Sequence, residues 1–277
     1  YSAFLRRYQD GTDAEDLRRR ISPFLMRRLK KEVLTELPDK IESVFTAQMS
    51  PEQAKVYEAT MMRLRQRVDS IVKEKGFERG RTEVLAAITQ LREICCHPSL
   101  VLDDYTGTSG KLDMLLDMLP EAIAKGRRVL LFSAFTSMLK ILRRELDDAG
   151  YETMYLDGDT PAQRRVEMAE QFNAGQGQIF LISLKAGGTG LNLTGADMVI
   201  HYDPWWNPAA EDQATDRAYR IGQTRKVEVI RLVTHASIEE QVVALGQRKK
   251  ALFDQLIKPG ESMVGGLSPQ EIMSLFQ

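Results

Sequence analysis

The sequence predicts an α/β protein built on a parallel sheet with helices on both faces. Three observations carry that expectation. From Lys111 to Val233, short apolar runs alternate with amphipathic stretches of about 10 to 14 residues, the rhythm of βαβ units. Runs such as VLLFS (129–133) are apolar throughout, as strands covered on both faces are. Ser133, Asp157-Gly158, Ser183 and Asp203 fall at the C-terminal ends of these strands, where open α/β sheets bind ligands.

Taken in order, residues 1–40 are rich in arginine and lysine, with Leu17, Ile21, Phe24, Leu25, Leu29 and Val33 between the charges. They read as amphipathic helix, broken near Ser22-Pro23 and ended by Leu37-Pro38, and a solvated basic face explains the charge as well as a binding role does. KIESVFTAQM (40–49) alternates as a strand. Ser50-Pro51 with Gln53 opens a long helix running to about Lys75. After Gly76–Gly80 a second helix runs from Glu83 to about Cys95, and the pair carries an outer basic side from Arg63 to Arg81. Cys95-Cys96-His97 is read as a buried cluster, because a zinc site wants about four spaced ligands.

Asp103–Gly110 is turn-rich and marks a boundary. Beyond it the predicted order is helix 111–119, strand 129–133, helix 137–149, strand 151–156, a helix opened by Thr160-Pro161 and closed at Asn173-Ala174-Gly175, then strands 179–183, 198–202 and 227–233. Asn207 is a good N-cap and Pro208 suits the first helical position. An amphipathic helix from Ser237 and a short capped one after Ser268-Pro269 close the chain.

The 277 residues carry a net charge of −1, so no global positive field attracts nucleic acid and any such surface is local. The two cysteines are adjacent, which argues against a disulfide framework and for a reducing compartment. No apolar run reaches the roughly 18 residues of a membrane span, and Tyr1 in place of an initiator Met reads as a fragment of a longer, soluble protein without a membrane partner.

The chemistry concentrates between Ser183 and Arg225. Gly187, Gly188 and Gly190 let backbone approach a ligand, and their amides with Lys185 suit a phosphate. On the helix begun at Asn207, the i, i+4, i+7 spacing of Gln213, Arg217 and Arg220 predicts one shared face. Guanidinium groups there suit a phosphoryl group, although pairing with Glu211, Asp212 or Asp216 explains them equally. Ser133 and Thr136 follow a strand end, where hydroxyls meet phosphate oxygens, and Thr136 also serves as an N-cap candidate. Trp205 and Trp206 flank a turn, with packing the simpler role for one of them. The pattern GxxxxGK[ST] occurs nowhere, and no strand ends in a paired Asp-Glu, so half of a nucleotide site is missing.

These segments resemble those of the Swi/Snf-type DNA translocases of helicase superfamily two. RRLKKEV followed by LPDK (27–40) resembles the family's linker into the second lobe, and LREICCHP (91–98) its LRxxCCHP segment. VLLFSAFTSML (129–139) is similar to motif IV and YLDGDTPAQRR (155–165) to the next block. ISLKAGGTGLNL (182–193) resembles motif V, with ADMVIHYDPWWNP (196–208) the segment after it. DQATDRAYRIGQTR (212–225) resembles motif VI, and IEEQVVALGQRKKALFDQLI (238–257) the brace helix. Thr189 and Tyr219 depart from the more frequent Leu and His.

The resemblance implies a RecA-like, P-loop NTPase-like second lobe with a helical protrusion and a C-terminal brace. The expected division is a basic lead-in over 1–40, first strand and protrusion over 41–106, the lobe over 107–235, and brace with final helix over 236–277. It implies catalytic roles for Arg217 and Arg220, nucleotide contacts for Gln213, Gly188 and Gly190, and DNA-backbone contacts for Ser133, Thr136, Ser183 and Lys185. Trp205, Trp206 and Asn207 match the coupling segment. ATP and Mg2+ would be held mainly by the absent first lobe, so this polypeptide would not hydrolyse ATP alone. The implied partners are double-stranded DNA, the chain's own N-terminal lobe and a protein or nucleoprotein substrate. The implied location is the bacterial cytoplasm, at the nucleoid, or the eukaryotic nucleus. Two rivals stand beside this reading: an RNA helicase lobe, from which YRIGQTR differs at HRxGRxGR, and a non-catalytic docking module.

Overall fold

The computed structural model describes residues 37–186, 190–256 and 273–276. Six strands form one sheet: β1 (Lys40–Ala47), β2 (Val129–Ser133), β3 (Thr153–Leu156), β4 (Ile179–Ser183), β5 (Met198–His201) and β6 (Val227–Thr234). Their order is β1-β6-β5-β2-β4-β3, and every pairing is parallel. The helices are α1 (Pro51–Lys75), α2 (Phe77–Cys96), α3 (Gly110–Ala124), α4 (Thr136–Asp148), α5 (Ala162–Asn173), α6 (Pro208–Thr215) and α7 (Ile238–Leu256). Among them no helix is long and apolar enough to cross a membrane.

The period-two alternation of the strands divides the core. Leu131, Leu181, Ile200, Ile230 and Leu232 face α3 and α4, where Leu115, Leu119, Leu139 and Leu142 cover them. Leu130, Phe132, Phe180, Ile182, Val199 and Val229 face the other way, under Phe172 of α5 and Ala214 of α6. A third cluster joins α1 and α2 (Tyr57, Leu64, Val84, Ile88, Leu91) to Ile238, Val242 and Leu245 of α7. The predicted protrusion is therefore anchored to α7 near its base, where Tyr57 accepts the Ile238 amide at 2.8 Å. β1, grouped above with the protrusion, is hydrogen-bonded to β6 as an edge strand of the sheet.

Several boundaries move. The second helix begins at Phe77, six residues before Glu83, because Gly76 alone makes the turn at φ 74°. Gly80 lies inside α2, where a β-carbon would stand 2.4 Å from Ile71 Cγ2, so its absence lets the two helices approach closely. α3 continues through Pro120 to Ala124, its last turn held by burial of Leu119 and Ala122. Ser50 caps α1 as predicted and accepts the Gln53 amide at 3.2 Å. At the centre, buried Lys111 donates to Glu239 at 2.7 Å and to the Tyr202 carbonyl at 3.0 Å, joining α3, the end of β5 and α7.

Candidate functional site

The C-terminal ends of β2, β4 and β5 open onto one edge. Asn207 caps α6 and accepts the Ala209 amide at 3.2 Å, with Pro208 first in the helix. α6 then stops at Thr215 after eight residues, so Arg217 and Arg220 are not on the predicted helix. The carbonyls that a longer helix would use internally are taken: Leu193 donates to Arg217 O at 3.0 Å, and Gln223 Nε2 donates to Ala218 O at 3.1 Å. The same Gln223 amide group donates to Thr194 O and Ala196 O, and Gly222 turns the chain at φ 99°. A tertiary clamp has replaced the last helical turns.

The three side chains still meet. Gln213, Arg217 and Arg220 line a cavity of about 330 Å³ with Gly190, Leu191, Asp216 and Ile221. Arg220 is exposed and donates to the Gly190 carbonyl at 3.2 Å. Arg217 is 4% exposed, and its Nε and Nη1 have no hydrogen-bond partner. Burial, then the neighbouring charge of Arg220, pushes its pKa down to about 10. Glu211 does not neutralise it: one carboxylate oxygen accepts the Trp205 amide and the other Arg231 Nε, each at 2.7 Å. A buried cation with desolvated, unused donors beside a second cation is a site shaped for an anion. Gly188, with Gly187 and Thr189, lies outside the described residues.

The candidate phosphate-facing residues divide. Ser133 and Ser183 are register partners at the ends of β2 and β4, but they are 1% and 2% exposed. Ser133 Oγ donates to Asp203 and accepts the Phe135 amide at 3.1 Å, so its hydroxyl is committed inward and shapes the β2–α4 loop. Both hydroxyls are enclosed, because strand ends at the centre of a covered sheet are surrounded by their neighbours. Thr136 and Lys185 are exposed. Thr136 is the first residue of α4 rather than its cap, and that terminus has no side-chain cap. Its first amides are thus not claimed by a capping side chain.

Trp205 and Trp206 are half-buried, with ring centroids 5.7 Å apart, and Trp206 packs on the α1–α2–α7 cluster. Two further residues escaped the sequence reading. Arg165 donates to the carbonyls of Gly158, Thr160 and Ala186, which holds the approach to the glycine cluster. Arg92 of α2 reaches Asp203 and the Pro204 carbonyl across 111 and 112 residues of sequence. Both stand inside quoted segments, yet spacing cannot signal a contact of that range. Among the described residues no group of three or more His, Cys, Asp or Glu could hold a metal ion.

Comparison with known proteins agrees with the fold. Residues 4–100 match the SNF2-related domain and residues 110–222 the helicase conserved C-terminal domain. The Bacillus subtilis protein YwqA, named for ATP-dependent helicase/translocase activity, is 39% identical over 268 residues, 94% of this chain and 28% of that protein. The chromatin structure-remodeling complex subunit snf21 of Schizosaccharomyces pombe is 37% identical over 259 residues, 87% of this chain and 21% of it. The Sulfolobus solfataricus SWI2/SNF2 ATPase core domain superposes with a TM-score of 0.69 at 34% identity, covering 99% of this chain and 56% of that one. The same core in complex with double-stranded DNA gives 0.67 at 35% identity, covering 88% and 52%. The chain thus spans about a quarter of the length of such curated relatives.

Proposed function

The chain belongs to the Swi/Snf-type branch of helicase superfamily two, and on that premise we propose that it is the second RecA-like lobe of an ATP-dependent translocase on double-stranded DNA. One observation carries the proposal: the buried guanidinium of Arg217, with two unused nitrogens, beside Arg220 in an open cavity. Cations fixed in a poorly solvated wall stabilise charge as it develops on a phosphoryl group without reorganising at the moment of reaction. Both arginines are planar, permanently charged donors, and Gln213 adds an amide on the same wall. The residues therefore fit the terminal phosphates of a nucleotide held by the first lobe. Mg2+ bound with ATP would neutralise part of the phosphate charge, and its ligands are assigned to that first lobe. This chain alone would then leave ATP intact.

Thr136 and Lys185, exposed at the ends of β2 and β4, are assigned to the DNA backbone, with the α4 amides beside them. Ser133, bonded to Asp203 and the Phe135 amide, shapes the β2–α4 loop from within, and Ser183 stands beside it at the end of β4. Trp205, Trp206 and Asn207, between β5 and α6, would transmit closure of the lobes to the DNA-facing loops. A protein or nucleoprotein would be the cargo moved. The complex of a similar core with duplex supports DNA as the track.

The test is the ATPase rate of the intact protein that carries this chain, with and without duplex DNA, in wild type and Arg220→Ala. Loss of an arginine finger lowers turnover by roughly 10³-fold or more, so duplex stimulation should collapse in the variant. Retained rate in Arg220→Ala, or better stimulation by RNA, overturns the reading.

A further inference from the structure

Arg92 of α2 is among the largest fully buried side chains, at 1% exposure, and it lies far from the arginine cavity in sequence and role. Its Nη2 donates to the Pro204 carbonyl at 2.7 Å and to Asp203 Oδ2 at 3.3 Å. Its Cζ sits 5.2, 5.1 and 5.0 Å from the ring centroids of Phe135, Trp205 and Trp206. Nε is buried without a partner. Asp203, buried as well, accepts the Ser133 hydroxyl and the Ala134 amide, the latter at 3.1 Å. One guanidinium thus joins three elements: α2, the β2–α4 loop that leads to Thr136, and the β5–α6 loop that leads to Gln213 and Arg217.

A role confined to stability explains this poorly. Desolvating an ion pair costs about as much as its attraction returns, and apolar replacements of such pairs are often neutral or better. An unused buried donor adds a further penalty. What the arrangement does provide is a stiff connection, since a planar fork held by three aromatic faces has few alternative positions. At its far end, α1 and α2 expose Arg63, Arg65, Arg67, Arg79 and Arg81 toward solvent.

We propose that Arg92 is a positioning residue that couples the α1–α2 hairpin to the two loops carrying the DNA-facing and nucleotide-facing side chains. The hairpin's position is thereby felt at both, and duplex binding is linked to turnover through Asp203. The inference rests on the translocase reading above.

The experiment uses the intact protein and compares wild type, Arg92→Gln and Arg92→Lys by thermal melting, duplex Kd, basal ATPase and duplex-stimulated kcat. The expected result for Arg92→Gln is unchanged basal rate and Kd, with stimulated kcat lowered by about fivefold or more, the size of a typical coupling between sites. Arg92→Lys, which keeps the charge but loses the fork, should fall between the two. A folded Arg92→Gln protein with wild-type stimulation overturns the proposal, as does equal loss of basal and stimulated rates. Should Arg92→Gln not fold, Arg92→Lys decides: reduced stimulation at unchanged Kd supports coupling, and wild-type stimulation overturns it. A wild-type protein that duplex does not stimulate overturns the translocase reading itself, whereas a stimulated wild type with a stimulated variant overturns only the role of Arg92.

Discussion

Arg217 shows what a functional residue costs the fold. Its guanidinium is enclosed, two nitrogens are unused, and Arg220 stands close by. Buried donors left without partners cost stability, so Arg217→Met should raise the stability of this chain by about 1 kcal/mol, read as a Tm increase of roughly 2–4 °C, while abolishing ATPase of the intact protein. A lower Tm in that variant would mean that Arg217 is a structural cation. His201 gives a pH-dependent counterpart. It is fully buried against Thr215 at 3.0 Å, and burial, then Arg231, pushes its pKa down from 6.5 to about 3. The unfolded chain therefore takes up a proton between those values that the folded one refuses, and stability falls as pH drops below 6.5, by up to about 1.4 kcal/mol per pH unit. Glu42 adds to the acid limb only lower down: although burial opposes it, Lys40 and Arg231 hold its carboxyl at about 2. Urea melts between pH 4.5 and 7 should show a shallower slope in His201→Asn, and an unchanged slope would remove His201 as the cause.

Among the elements, the helical hairpin depends on one amide. Gln53, fully buried in α1, donates to the carbonyls of Ile94 and Cys95 at the end of α2 and accepts the Gly110 amide that opens α3. Gln53→Leu would leave those groups buried without partners, so a loss of about 2–3 kcal/mol is expected in denaturant unfolding. A loss below 0.5 kcal/mol would show that water replaces the amide. Helix starts marked by a capping side chain, and the apolar strands, were legible, because caps and burial act within a few residues of sequence: Ser50, Asn207 and the runs 129–133 and 179–183 stand where they were expected. The end of α6 was not, because Leu193 and Gln223, from outside the helix, decide it.

For the whole molecule, the near-neutral charge means that DNA affinity would come from a few placed cations rather than from a general field. Lys185→Ala should weaken duplex binding without regard to sequence and reduce the slope of log K against log salt by about 1. An unaltered slope would remove Lys185 from the interface.

The sequence by itself determined that a parallel sheet would form from apolar strands covered on both faces, and that Gln213, Arg217 and Arg220 would stand together. These follow from periodicity and local capping, which the chain carries within short windows. Only the tertiary structure decided which polar groups face outward. Ser133 turned inward to Asp203, Thr136 and Lys185 stayed at the surface, and Arg92 crossed 111 residues to join two loops. The reason is that burial and partnership of a polar group are set by the elements packed around it, and those elements come from distant parts of the chain.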